Sequence, residues 1–272
     1  MQSNHPETTL LNEAQRAELL QRYRGAFNVD DLAYGTVRDF CDSRDHLPFL
    51  SAIQGDLKDL QRPWTTKAIL GLLPPGSRLL EIGAGEPVVA QILCELGYAV
   101  TVVDPYDGSG RGPTAVAYYR EHYPSVQIVQ DVFSDKLADI EPNSYDCIYS
   151  ISVLEHVHEP GLGSLFGGIR RFLKPGGHTL HSIDHVLVGQ DAEFHRQHLI
   201  EILSYQAELS EQPARCLVRE YADIMERLHR DVEVYYLSAE GHNLWRGATP
   251  YDDFPFRKVV SVNSCKKFGN TP

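Results

Sequence analysis

The stretch Leu79-Leu80-Glu81-Ile82-Gly83-Ala84-Gly85-Glu86-Pro87 decides the fold. An apolar run carrying one acid leads into two glycines one residue apart, and an apolar helical pattern from Val88 to Leu96 follows. That succession reads as a buried strand, a tight turn and a helix. Glycines at 83 and 85 permit the turn and let a ligand approach the backbone, while the start of the helix presents unpaired N–H groups to an anion. A dinucleotide-binding fingerprint would place a third glycine at position 88, where this chain has Val88.

From Ser77 onward, short apolar runs alternate with amphipathic helical patterns, as in a parallel sheet wrapped by helices on both faces. Strands are expected at Arg78–Ile82, Ala99–Val103, Gln127–Gln130, Cys147–Ser150 and His178–Ile183. Helices are expected at Val88–Leu96, Ala115–His122 and Leu165–Leu173. After Asp184 a largely helical stretch runs to His229. Two β-like runs follow, Val232–Leu237 and Lys258–Val262, and because no helical pattern joins them they read as an antiparallel pair at the sheet edge. Upstream, helical spacing covers Leu10–Phe27, Leu47–Leu60 and Trp64–Leu73, stopped by Pro74, Pro75 and Gly76. The predicted fold class is α/β: a doubly wound Rossmann-like sheet with a final antiparallel strand and a helical insertion after the fifth strand. Residues 1–75 form a helical lead-in or lid, and residues 76–272 the main domain.

Acids mark the carboxyl edge of this sheet. Asp104 ends the second strand, where a carboxylate can accept hydrogen bonds from both hydroxyls of a ribose, and Asp131 follows the third, in reach of an adenine amino group. Taken in order over residues 79–183, the pieces LLEIGAGEP, VTVVDP, QDVF, SYDCIYSISVLEHV and FLKPGG resemble the class I S-adenosylmethionine-dependent methyltransferases. The resemblance implies S-adenosyl-L-methionine as cofactor. It further implies that Glu81, Gly83 and Gly85 shape the methionine end of its pocket, that Asp104 holds the ribose, that Asp131 and Val132 hold adenine, and that Ser150 and Ile151 line the site beside the sulfonium. Pro87 and Val88 replace the small residues common in that family and put the contacts of the cofactor carboxylate in question. An NAD-dependent Rossmann oxidoreductase is the alternative that the two glycines and Asp104 alone would allow; Val88 and the FLKPGG turn stand against it. A protein that binds the adenosyl cofactor without turnover is a third reading.

Methyl transfer from a sulfonium is an in-line displacement, so positioning dominates and a hydroxyl or protonated amine must also lose a proton. His156, just past the fourth strand, is the first candidate base, and Asp184 and His185, just beyond the fifth, are the next. Five of the twelve histidines lie between His178 and His198. His195 and His198 can share a helix face, but His178 and His181 point to opposite faces of a strand, so no single metal shell is expected. A formal charge of −12 disfavours nucleic acid and anionic lipid as partners, and no run of about 20 apolar residues suits a membrane. The expected acceptor is a small molecule, for example a sugar, a nucleotide-sugar or a natural-product intermediate. The loop Gly241–Lys258, with Trp245, Tyr251, Phe254 and Phe256 beside Arg246 and Arg257, suits rings and anionic groups. Five scattered cysteines without a secretion signal point to reduced thiols and a cytoplasmic location. The oligomeric state is left open between monomer and homodimer.

Overall fold

The structure is a computed structural model that describes residues 9–51, 56–109, 112–238 and 257–269. Among the described residues seven strands form one sheet: β1 (Leu32–Tyr34), β2 (Arg78–Ile82), β3 (Ala99–Val103), β4 (Gln127–Val129), β5 (Tyr145–Ile151), β6 (Leu173–Gly189) and β7 (Arg257–Lys267). Their spatial order is β1-β7-β6-β5-β2-β3-β4, and β7 alone runs against the other six. Eight α-helices accompany them among the described residues: α1 (Glu13–Tyr23), α2 (Val37–His46), α3 (Lys58–Leu72), α4 (Val88–Glu95), α5 (Val116–His122), α6 (Gly161–Phe172), α7 (Ala192–Leu209) and α8 (Ala214–Arg230).

The helices divide between the two faces. Leu19 of α1, Ile69 and Leu70 of α3, and Ile92 and Leu93 of α4 pack on one face around Leu79, Val100 and Tyr149. Leu165 and Phe172 of α6, Ile202 of α7 and Leu228 of α8 pack on the other around Leu80, Ile148 and Val262. Alternation along β2 sends Leu79 to the first core and Leu80 to the second, which is why the central strands carry apolar residues on both faces. β2 pairs with β3 on one side and β5 on the other, so the chain reverses its direction of winding there and leaves a crevice at the carboxyl ends of these strands.

Four expectations are corrected. Leu47–Leu60 is not one helix: the Thr36–Asp39 capping box starts α2 ten residues upstream of Leu47, Pro48 follows its end, and Leu47, Leu50 and Leu57 are buried from irregular chain or a helix cap. The fifth parallel strand does not stop at Ile183 but runs to Gly189, because β7 supplies hydrogen-bond partners as far as Arg257. Asp184 and His185 therefore lie within β6. The run Val232–Leu237 forms only the isolated bridges Thr36↔Val234 and Tyr236↔Val260, with Val232 97% exposed. The outer partner of β7 is instead β1, from the N-terminal segment.

Candidate active site

The glycine turn after β2 takes left-handed backbone at both glycines, φ +65° at Gly83 and +59° at Gly85. A side chain at Gly83 would put its Cβ 2.8 Å from Val153 Cγ2, so absence of a side chain there lets the β2 and β5 loops touch. Asp104, 7% exposed, ties this turn to the next loop: Gly85 N–H donates to its Oδ2 (3.0 Å) and Tyr106 N–H to its Oδ1 (2.9 Å). Tyr106 returns the link through its hydroxyl, which donates to Gly85 O (2.9 Å).

Two adjoining clefts open at these strand ends. The smaller, about 250 Å³, is lined by Glu81, Gly83, Gly85 and Asp104 and by Lys58 and Arg62 of α3. The larger, about 640 Å³, is lined by Asp104, Val132, Phe133, Val153, Val157 and Leu165. One is therefore polar and charged and the other mainly apolar, and Gly83, Asp104, Ser152 and His156 border both. Glu81 lies 3% exposed at the floor of the smaller cleft and accepts from Tyr149 Oη (3.0 Å). Burial pushes its carboxyl up to about 7, against the opposing effects of the Tyr149 hydrogen bond and of Arg62. The folded state thus holds a proton that the unfolded state, with an ordinary value near 4.5, gives up. Stability contributed by protonated Glu81 is fully present below about 4.5 and is lost as pH rises through about 7. Urea midpoints at pH 5 and pH 8 should consequently show a larger decline for the natural chain than for Glu81→Gln, and equal declines would contradict this.

A third cavity, about 270 Å³, adjoins at His156 and is lined by Glu155, His158, Asp184, Phe194, His195 and Arg257 among others. A single 3-10 turn, Leu154–His156, presents Glu155 and His156. His198 of α7 supports that turn from below, its Nε2 donating to Leu154 O (3.0 Å) while its Nδ1 lies 3.2 Å from Glu201 Oε2. Asp184 is held from α3: Gln61 Nε2 donates to its Oδ1 (2.7 Å), and Ser152 Oγ lies 3.0 Å from the same oxygen. The Asp184 backbone N–H donates to Glu155 Oε1 (3.2 Å). Burial raises the pKa of both carboxyls, and the charge of Asp184 raises that of Glu155 further. Gln61 gives Asp184 Oδ1 a donor and the Ser152 hydroxyl lies between that oxygen and Gln61 Oε1 (3.1 Å), so Glu155, with one backbone N–H, is the carboxyl pushed more strongly toward its protonated form.

Of the residues singled out from sequence, Glu81, Gly83, Gly85, Asp104, Val132, Ile151 and His156 line the two clefts. Asp131 is exposed and accepts from Val132 N–H (2.7 Å), and it is not among the lining residues. Ser150 is wholly buried and bonded to His181 Nδ1 (2.8 Å); the next residues, Ile151 and Ser152, face the cleft. Asp184 and His185 part company because consecutive strand residues face opposite ways. His185 borders a separate surface cavity with Arg196, Tyr221 and His229, and burial pushes its pKa down to about 4. His195 borders the third cavity and His198 the turn above it, and among the described residues no group of three or more His, Cys, Asp or Glu could hold a metal ion. The aromatic loop lies outside the described residues up to Phe256, as do Gly110 and Arg111. Arg62, Gln61 and Glu155 were not singled out. Gln61 and Arg62 reach the site from 123 residues away in sequence in the case of Gln61 and Asp184, a contact that no local pattern encodes.

The chain is similar to several known methyltransferases. The ubiquinone biosynthesis O-methyltransferase of Pseudomonas fluorescens is 27% identical over 128 residues, 47% of this chain and 51% of the relative. That of Nitrosococcus oceani is 32% identical over 108 residues, 39% and 43% of the two chains. The chain spans about half the length of the curated relatives it matches. A solved structure, phosphoethanolamine N-methyltransferase 2 of Haemonchus contortus, overlaps 97% of this chain and 76% of its own at 17% identity, with a TM-score of 0.45. Among the described residues, no helix is long and apolar enough to cross a membrane. The profile of a methyltransferase domain matches residues 57–228, from the start of α3 through most of α8. By that match the chain belongs to the methyltransferase-domain family, within the S-adenosylmethionine-dependent class I enzymes that its motifs resemble.

Proposed function

We propose that this chain transfers the methyl group of S-adenosylmethionine to an oxygen or nitrogen of a small-molecule acceptor, with His156 as the group that takes the acceptor's proton. The observation that carries the reading is the position of His156, which lines both strand-end clefts and the acid-lined cavity beside them. The residues present fit the cofactor. Two backbone N–H groups occupy only part of the acceptor capacity of Asp104, leaving lone pairs for two ribose hydroxyls. Val132, Phe133, Val153 and Leu165 offer an apolar slot for adenine. Arg62 and Lys58 bring positive charge to the methionine end, where Glu81 can take the amino group. When bound, the cofactor supplies an electrophilic methyl carbon, and this chain's residues hold the acceptor in line with it and remove its proton.

Calorimetric titration with S-adenosylmethionine, S-adenosylhomocysteine and NADH tests the cofactor. Micromolar binding of the adenosyl compounds is expected; binding of NADH alone would transfer the chain to the oxidoreductase reading. For the base, His156→Gln is expected to lower kcat by about 10²–10⁴-fold and to flatten the acid limb of the rate–pH profile, since neutral imidazole is the working form. An unchanged limb would remove His156 from that role.

A further inference from the structure

The third cavity carries more information about the acceptor. We propose that the acceptor is a cationic amine whose ammonium docks on the Glu155 carboxyl in this cavity, an inference that rests on the methyltransferase reading above. Glu155 is 4% exposed; its Oε1 accepts from Asp184 N–H, and among the described residues its Oε2 is buried with no hydrogen-bond partner. An unpaired carboxyl oxygen in so buried a place is unfavourable, and a ligand N–H would satisfy it.

The charges around the cavity favour a cation over a neutral donor. On β7, Arg257 is paired with Asp191. On α7, His195 is kept neutral by burial and by the Arg257 charge. Lys58, at the start of α3, lines the neighbouring cofactor-side cleft and acts on Glu155 and Asp184 as a more distant charge. Asp56, just before α3, adds a third acid to the lining, and His156 and His158 flank Glu155 on its own segment. The balance facing Glu155 is negative. Phe194, 51% exposed in the cavity wall, adds an aromatic ring on which an ammonium can rest. A hydroxyl would give Oε2 one donor and no charge, whereas an ammonium gives two or three donors and the missing cation.

Docking has a proton balance. Burial and the Asp184 charge favour the protonated Glu155 carboxyl in the free protein, and an ammonium entering from solution pairs with the carboxylate, so the carboxyl proton leaves to solvent while the ammonium keeps all of its own.

The test uses the full chain saturated with S-adenosylhomocysteine and matched probes: benzylamine with benzyl alcohol, and ethanolamine with ethylene glycol. Calorimetry in buffers of different ionisation enthalpy reads affinity and proton release together. At least one amine is expected to bind about tenfold or more tightly than its alcohol partner, with net release of protons at pH 7. Glu155→Gln, nearly the same shape, is expected to remove both the preference and the release while leaving S-adenosylhomocysteine affinity unchanged. Alcohols that match the amines, binding by no probe, amine binding without proton release, or a Glu155→Gln chain that keeps preference and release would each overturn the proposal. The amine preference and proton release of the natural chain decide the matter even if the variant does not fold. Failure of S-adenosylhomocysteine itself to bind strikes the methyltransferase reading instead, so the two failures are told apart in one sample.

Discussion

Gly83→Val is expected to abolish detectable binding of S-adenosylhomocysteine and to lower folding stability by about 2–6 kcal/mol. Two independent costs meet at this residue. Its backbone sits at φ +65°, a region that a β-branched side chain almost never enters, at about 1–3 kcal/mol. Its Cβ would stand 2.8 Å from Val153 Cγ2, so the β5 loop must retreat, which costs about 1–3 kcal/mol more. Any retreat moves Val153, which lines the apolar cleft, and the neighbouring Ser152, which lines both. Gly85 provides the internal control. It has the same left-handed backbone, but its Cβ would meet only Pro113, at 3.9 Å. Gly85→Ala should therefore carry backbone strain alone and retain measurable binding. Isothermal titration with chemical denaturation on both variants checks the contrast, and a Gly83→Val chain that binds as tightly as Gly85→Ala would refute the account.

The same two glycines show what the sequence disclosed and what it withheld. β2 and β3 occupy the residues expected, Arg78–Ile82 and Ala99–Val103, because each is a short apolar run bounded by turn residues whose pattern depends on neither partner. The α/β class was legible for the same reason, and the antiparallel direction of β7 followed from the lack of a helical pattern before it, although its partners are β6 and β1 and not Val232–Leu237. Where a strand's extent depends on a distant partner, local pattern was not enough. β6 continues through Asp184 and His185 only because β7 hydrogen-bonds it to Gly189, and β1 is three residues that acquire their meaning from Ser264, Asn263 and Val262. The site divides likewise. Glu81, the glycines and Asp104 follow strands in sequence and could be found there, and His156 was suggested by its place past β5. Gln61 and Arg62 come from a helix whose side chains are nearly all buried, and they face the site only once α3 has packed on the sheet. Glu155 stood beside His156 in plain view. Its importance lies in burial next to Asp184, a tertiary property.

Asp104→Ala is expected to weaken S-adenosylhomocysteine binding by about 10²–10⁴-fold, from the loss of two charge-assisted hydrogen bonds at about 1.5–3 kcal/mol each. The substitution also deprives Gly85 N–H and Tyr106 N–H of their acceptor, so part of any loss could arise from loops that no longer hold together. Two further measurements separate these contributions. Asp104→Asn keeps one carboxamide oxygen for a backbone donor and should fall between the natural chain and the alanine variant. An analogue of S-adenosylhomocysteine lacking both ribose hydroxyls closes the cycle. If Asp104 meets the ribose, the natural chain binds the analogue about as weakly as Asp104→Ala binds the intact ligand, and the variant loses little more on meeting the analogue. If the two losses instead add in full, the carboxylate acts through the Gly85 and Tyr106 loops alone and the ribose is held by other groups.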